Sequence, residues 1–142
     1  MAAYNKFQDF VEQLALAKHD FAAAGHVFKA YLTNAAPSAS LDAVKADLAE
    51  IGAGGGYTAG GYDIQNSVSE TTGTVTVAAV DIVITATGGS IGPFQYVAVY
   101  NDTQTSPADP LVCWWDYGSA LTLLDTESFT IDFGSNTLFT LA

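Results

Sequence analysis

The stretch EIGAGGGYTAGGYD, residues 50–63, places six glycines between positions 52 and 61, and its reading separates two fold classes. Gly54, Gly56 and Ala59 satisfy the spacing G-x-G-x-x-A of a dinucleotide-binding turn. That turn needs a strand before it, a helix after it and an acidic residue about 20 positions on. Here the order is reversed. LDAVKADLAEI, residues 41–51, precedes the glycines with Val44, Leu48 and Ile51 on one helical face and Ser40 as a candidate N-cap, which predicts a second, short helix. No lysine follows Gly60 and Gly61, and Glu50 and Asp63 would repel a phosphate, so a P-loop is excluded as well. The run is expected to be a flexible joint whose glycines supply backbone angles that other residues resist.

Beyond the joint the pattern changes to period two. In SFTIDF, residues 128–133, Phe129, Ile131 and Phe133 alternate with Ser128, Thr130 and Asp132, as a strand with one buried face requires. GSN at 134–136 then turns the chain into TLFTLA, which predicts a terminal hairpin. TVTVA (74–78), DIVITA (81–86), FQYVAVYN (94–101) and LVCWWDY (111–117) are further strands, separated by turn-rich pieces such as TGGSIGP and DTQTSPADP. GYDIQNSVS (61–69) and ALTLLD (120–125) bring the count to eight or nine. Short strands at this spacing, after two helices, predict a mainly β fold: a β-sandwich or jelly roll rather than alternating βαβ units.

Ahead of the joint, YNKFQDFVEQLALAKHD sets Phe7, Phe10, Val11 and Leu14 at offsets of three, four and seven. That is the stripe of an amphipathic helix, expected over residues 4–18. Gly25 breaks it, and HVFKAYLTN (26–34) reads as a strand before the turn cluster AAPSAS. Residues 1–142 are thus expected to form a single domain, with a helical and strand part over 1–52 and a β-sandwich part over 62–142.

Composition bounds the function. Apolar residues make up 49% of the chain and charged residues 13%, which is enough apolar side chain for a core and too little charge for a disordered tail. Fifteen acids against four basic residues give a net charge of −11, which repels nucleic acid and anionic membrane surfaces. No apolar run reaches the roughly 18 residues of a membrane span, and MAAYNKFQDF lacks the basic start and apolar segment of a signal peptide. With Cys113 as the one cysteine, no internal disulfide can form, which suits assembly in a reducing cytoplasm.

Catalytic chemistry finds no foothold in the pattern. His19 and His26 are the only histidines, one at a helix end and one at a strand start, and no serine lies in G-x-S-x-G. His19, Asp20 and His26 match no zinc spacing. Asp81, Asp102, Asp109, Asp116, Asp125, Glu127 and Asp132 crowd the β region, where spacing alone cannot separate a glycosidase pair from solvated turn formers. Cys113 sits among apolar residues, as an inert buried thiol would. The expectation is a protein without enzymatic activity, cofactor or metal.

The informative pattern is PLVCWWDYGS, residues 110–119. Adjacent residues of a strand point to opposite faces, so Trp114 and Trp115 cannot enter one core together. Each has about 150–250 Å² to bury, so one face needs a lid: the N-terminal helix or another subunit. Phe7, Phe10, Val11, Leu14, Trp114 and Trp115 are therefore the candidate interface residues, and a dimer or trimer through an apolar sheet face or the N-terminal helix is expected rather than a free monomer. The helix is either part of the core or a mobile arm; the uncovered face favours core.

YNKFQDFVEQLA, YLTNAAP, ADLAEIGAGGGYTAGG, ATGGSIGPFQYVAVYND and PLVCWWDYGSALTL together resemble a family of small proteins encoded among the virion genes of tailed bacteriophages. The resemblance spans essentially the whole chain and is most specific at IGPFQYVAVYND and WWDYGS. It departs from the family pattern at Cys113, where a smaller residue is usual, and in KHDFAAAGHVFK, which is longer and richer in alanine. The resemblance implies a virion structural protein, by analogy a head decoration or cement protein on the capsid exterior that binds and stabilises the major capsid protein lattice. The alternative is a tail- or fibre-associated receptor- or carbohydrate-binding module that stacks sugars on WWDY.

Overall fold

The computed structural model describes residues 2–142 and is mainly β, built of antiparallel sheets with one α-helix. Its largest sheet has five strands in the order β1 (Asn5–Lys6), β8 (Leu111–Leu123), β7 (Ile91–Asn101), β2 (Phe28–Thr33) and β3 (Tyr62–Asp63). A second sheet orders β10 (Thr137–Leu141), β5 (Thr74–Ala78) and β4 (Ser67–Thr71), and β6 (Ile82–Thr85) pairs with β9 (Ser128–Ile131). The strands expected around 74–78, 81–86, 94–101, 111–117 and 26–34 are all present. ALTLLD is not a separate strand but the far end of β8, and GYDIQNSVS is divided between β3 and β4.

Helix α1 is Gln8–Ala15, shorter than the expected 4–18. At its start, Asn5 and Lys6 instead lie as a short strand opposite Trp114 and Cys113, and the Phe7 N–H donates to Val112 O. At its end, Ala17 takes φ 57°, and the N–H groups of Ala17 and Lys18 turn back to Leu14 O and Gln13 O. This is a Schellman stop with alanine where glycine is favoured.

The second helix does not form; residues 45–47 make a single 3-10 turn. Its backbone is taken by a distant partner: the Lys45 N–H donates to Asp109 O, Leu111 N–H to Ala43 O, and Val44 bridges Pro110. The Asp47 carboxylate accepts from the N–H groups of Ala43 and Val44, so the acid that would support a first helical turn closes a tighter one, and these bonds hold its pKa down. The terminal hairpin is also absent. β9 pairs with β6, β10 pairs with β5, and the turn between them carries the chain from one sheet to the other. Asp81 fixes that change of direction by accepting the Phe133 N–H at 2.8 Å.

The glycine run is packed rather than a joint between two bodies. β2, from the N-terminal part, lies inside the same sheet as β7 and β8. A Cβ on Gly61, whose φ is 77°, would stand 2.1 Å from Ala30 O, and one on Gly55 would stand 2.3 Å from Ser90 O. Glu50 gathers the loop: its carboxylate accepts from the Tyr57 hydroxyl and the Gly60 N–H, each at 2.8 Å, and pairs with Lys45 at 2.7 Å.

Both faces of the large sheet are covered from within the chain. Register puts Phe28, Ala30, Leu32, Val97, Val99 and Trp115 on one face. Over it lie Phe21, stacked 4.1 Å from Phe28, then Phe10 and Phe139, with Phe133 beside Trp115. Tyr31, Ala98, Tyr100 and Trp114 form the other face. There Lys45 sits 4.9 Å over the Tyr31 ring, Tyr31 donates to Leu48 O, and Phe7 packs 4.5 Å from Trp114. The cover that the sequence offered as the reason for an oligomer is therefore supplied within the chain, by Phe10 and Phe21 on the Phe28 face and by Phe7, Lys45 and Leu48 on the Tyr31 face.

Candidate functional site: an aromatic groove beside β8

Opposed residues of β7 and β8 keep step from Val99–Cys113 to Tyr96–Asp116, after which Phe94 faces Leu121. Two steps along β7 thus correspond to five along β8, and Tyr117 to Ala120 are pushed out as a bulge. The Asp116 carboxylate holds it, accepting from the Gly118 N–H at 2.7 Å and from Gln95 Nε2 at 2.9 Å. Bulges re-aim side chains. This one directs Tyr117 towards Phe129 of β9, with ring centroids 5.8 Å apart.

The result is a groove of about 360 Å³ lined by Val97, Trp115, Tyr117, Phe129, Ile131 and Phe133, together with Ala2, Thr130 and Asp132. Trp115 and Phe133 meet nearly at right angles, as do Tyr117 and Phe129, so the aromatic walls form corners. A smaller hollow of about 130 Å³ continues past Trp115 to Tyr4, Thr137 and Leu138. Phe133 is buried, Trp115 and Phe129 are half-buried, and Tyr117 remains 56% exposed. Gly134 N–H occupies one oxygen of Asp132 at 2.6 Å.

Of the six candidate interface residues, only Trp115 belongs to this groove. Trp114 points to the opposite face of the sheet, against Phe7. Phe7 and Phe10 are buried in the chain's own core, Leu14 is half-buried against it, and Val11 is 50% exposed. Phe129, Phe133 and Asp132 also line the groove and were not interface candidates, and Tyr117 entered only through the sugar-stacking reading of WWDY. The two-residue spacing of Trp115 and Tyr117 was the available signal, while Phe129 and Phe133 read as ordinary core positions.

The other candidate groups are engaged elsewhere. His19 and His26 both turn Nδ1 towards the side-chain amide of Asn101, at 3.1 and 2.9 Å. Asp125 accepts from Gly88 N–H, Glu127 from Leu124 N–H, and Asp102 pairs with Lys29 at 2.8 Å, which makes them turn and edge supports. Burial, and Asp102 beside it, push the Asp109 carboxyl up. Cys113 is fully buried and its thiol pKa is raised by that burial. Among the described residues no group of three His, Cys, Asp or Glu side chains is placed to hold a metal ion, and no helix is long and apolar enough to cross a membrane. No protein-family model matches the chain, and no match was found among curated proteins or solved structures.

Proposed function

We propose that the protein is a non-enzymatic virion structural protein of a tailed bacteriophage, a capsid decoration protein that docks on the major capsid protein from the capsid exterior. The observation that carries this reading is the groove beside β8: a half-open aromatic surface on a domain whose core is otherwise filled. Aromatic residues that stay accessible beside a closed core are what an adhesive contact uses, because they bury much area at little conformational cost. The resemblance of the whole chain to phage virion proteins supplies the context. In the same reading, the two small sheets lie over the Trp115 face of the five-stranded sheet as the second layer of a β-sandwich. The acidic surface, with fifteen acids and four lysines, faces solvent and keeps the assembled particle soluble.

Copy number tests the proposal. Quantitative mass spectrometry of purified virions should find the protein in numbers comparable to the capsid sites, and particles stripped of it should rebind the purified chain and resist heat better. Trp115 and Tyr117, two apart on one strand face, favour a second reading, a tail module that stacks sugars. A few copies per particle would select that reading, and absence from virions would reject both.

A further inference from the structure

We propose that residues 16–26, the strap that leads from α1 towards β2, form an acid-released latch whose catch is the side-chain amide of Asn101 closed on His19 and His26. The latch shares no residue with the groove. The strap crosses from the helix to the sheet without joining a strand ladder. Two buried asparagines hold it instead. Asn66 Nδ2 donates to the carbonyl oxygens of Phe21 and His26, at 3.0 and 3.2 Å. Asn101 Nδ2 lies 3.2 Å from Lys18 O, 3.1 Å from His19 Nδ1 and 2.9 Å from His26 Nδ1.

The catch holds in one protonation state only. The Asn101 oxygen accepts the N–H groups of Thr103 and Gln104, so the amide shows the imidazoles nothing but hydrogens. A protonated imidazole has no acceptor nitrogen and meets this amide donor to donor. His26 is half-buried and relieves the conflict by turning towards solvent. His19 is 8% exposed, among Phe10, Phe21 and Phe28, and takes up a proton only as the strap lifts. Lifting parts Phe21 from Phe28, 4.1 Å away, and from Phe10 and Phe139, which bares an aromatic surface. The ladder of β2, β7 and β8 does not run through the strap, so the opening is local.

The surrounding charges do not reverse this sign. The strap carries Lys18, Asp20 and His26, α1 carries Asp9 and Glu12, β2 carries Lys29, Asp102 follows Asn101 at the end of β7, and β10 has no titratable side chain. Asp20 accepts from Ala22 N–H, Asp9 from Gln13 Nε2, and Asp102 pairs with Lys29. Burial, then His26, lowers the His19 pKa to about 4, and no carboxylate raises it. The closed strap thus binds the proton near pH 4 and the released strap near 6.5. The open fraction grows as pH falls, by about twentyfold between pH 7 and 5.

Hydrogen–deuterium exchange of the whole chain, read by mass spectrometry at pH 7 and 5 and corrected for intrinsic rates, tests the latch. Strap amides such as His26 N–H, bonded to Asp20 O, should lose about twentyfold in protection. At both pH values they should be less protected than β7, and low urea should speed exchange in β7 but not in the strap. His19→Phe removes the titrating group and should abolish the fall. Asn101→Asp keeps the oxygen that accepts from Thr103 and Gln104 but offers the histidines an acceptor, so its strap protection at pH 5 should equal or exceed that at pH 7. Protection of β7 shows that each variant is folded. A strap that tracks β7 in protection and urea dependence, equal strap protection at the two pH values in the wild type, or the wild-type fall surviving in either variant would each overturn the inference.

Discussion

The side-chain amide of Asn101 points its nitrogen at Nδ1 of His19, 3.1 Å away, and this fixes the histidine's protonation. The amide cannot be turned round, because its oxygen already accepts the N–H groups of Thr103 and Gln104. Facing a donor nitrogen, Nδ1 of His19 carries no hydrogen, so the ring is neutral and its proton sits on the buried Nε2, which has no partner among the described residues. Burial first, and His26 second, lower the His19 pKa to about 4.

A histidine that stays neutral when folded and protonates at about 6.5 when unfolded stabilises the fold fully above pH 6.5 and progressively less as pH falls towards 4. The loss approaches about 3 kcal/mol, from a shift of roughly two and a half units. Urea midpoints at pH 7, 6 and 5 should decline in that order. In His19→Phe the Asn101 amide keeps two acceptors, Lys18 O and His26 Nδ1, for its two hydrogens. The new ring fits among Phe10, Phe21 and Phe28. This variant should be at least as stable at pH 7 and show a flatter slope; an unchanged slope would clear His19 of the effect.

Gly61→Ala combines a positive φ with a Cβ directed at Ala30 O, so it should cost at least about 2 kcal/mol and part β3 from β2. Gly52→Ala, where a Cβ meets nothing within 4 Å, is the control and should stay near wild type in thermal melts.

Ala17→Gly acts in the opposite direction. Relieving a left-handed alanine at the stop of α1 should raise stability by about 0.5–1 kcal/mol, read as a shift in the denaturant midpoint with the same slope.

Deletion of residues 1–18 should unfold the protein. It removes Phe7 and Phe10 from the core, at roughly 1.5–3 kcal/mol each, together with β1 from the edge of β8. That is a large part of the 5–15 kcal/mol typical of a domain. A truncated chain that keeps its far-UV circular dichroism and a cooperative melt would make the helix an arm.

With both sheet faces covered internally, light scattering of the isolated chain is expected to give a monomer. A dimer or trimer that disperses on Trp115→Ala would place self-association in the groove.

Local pattern was enough for the strands whose two faces differ or whose apolar runs are continuous. FQYVAVYN and LVCWWDY are committed to a sheet by side chains that no helix could bury on one stripe. Alternation also committed SFTIDF, and the offsets of Phe7, Phe10 and Leu14 committed a helix. What sequence could not supply was the partner of each segment. LDAVKADLAEI has helical periodicity, yet residues 43–45 extend along 109–111, because hydrogen bonds to a stretch over sixty residues away outweigh a marginal helix. SFTIDF and TLFTLA read as a hairpin, but each pairs with an earlier strand that offers a matching apolar face. The groove was decided at this same level. Trp115 was visible as a residue in need of cover, but Phe129 and Phe133 reach it only because β9 crosses to β6, and Tyr117 only because β8 bulges against β7. Periodicity fixes which side of its own strand a residue faces, whereas packing between sheets determines what it meets there.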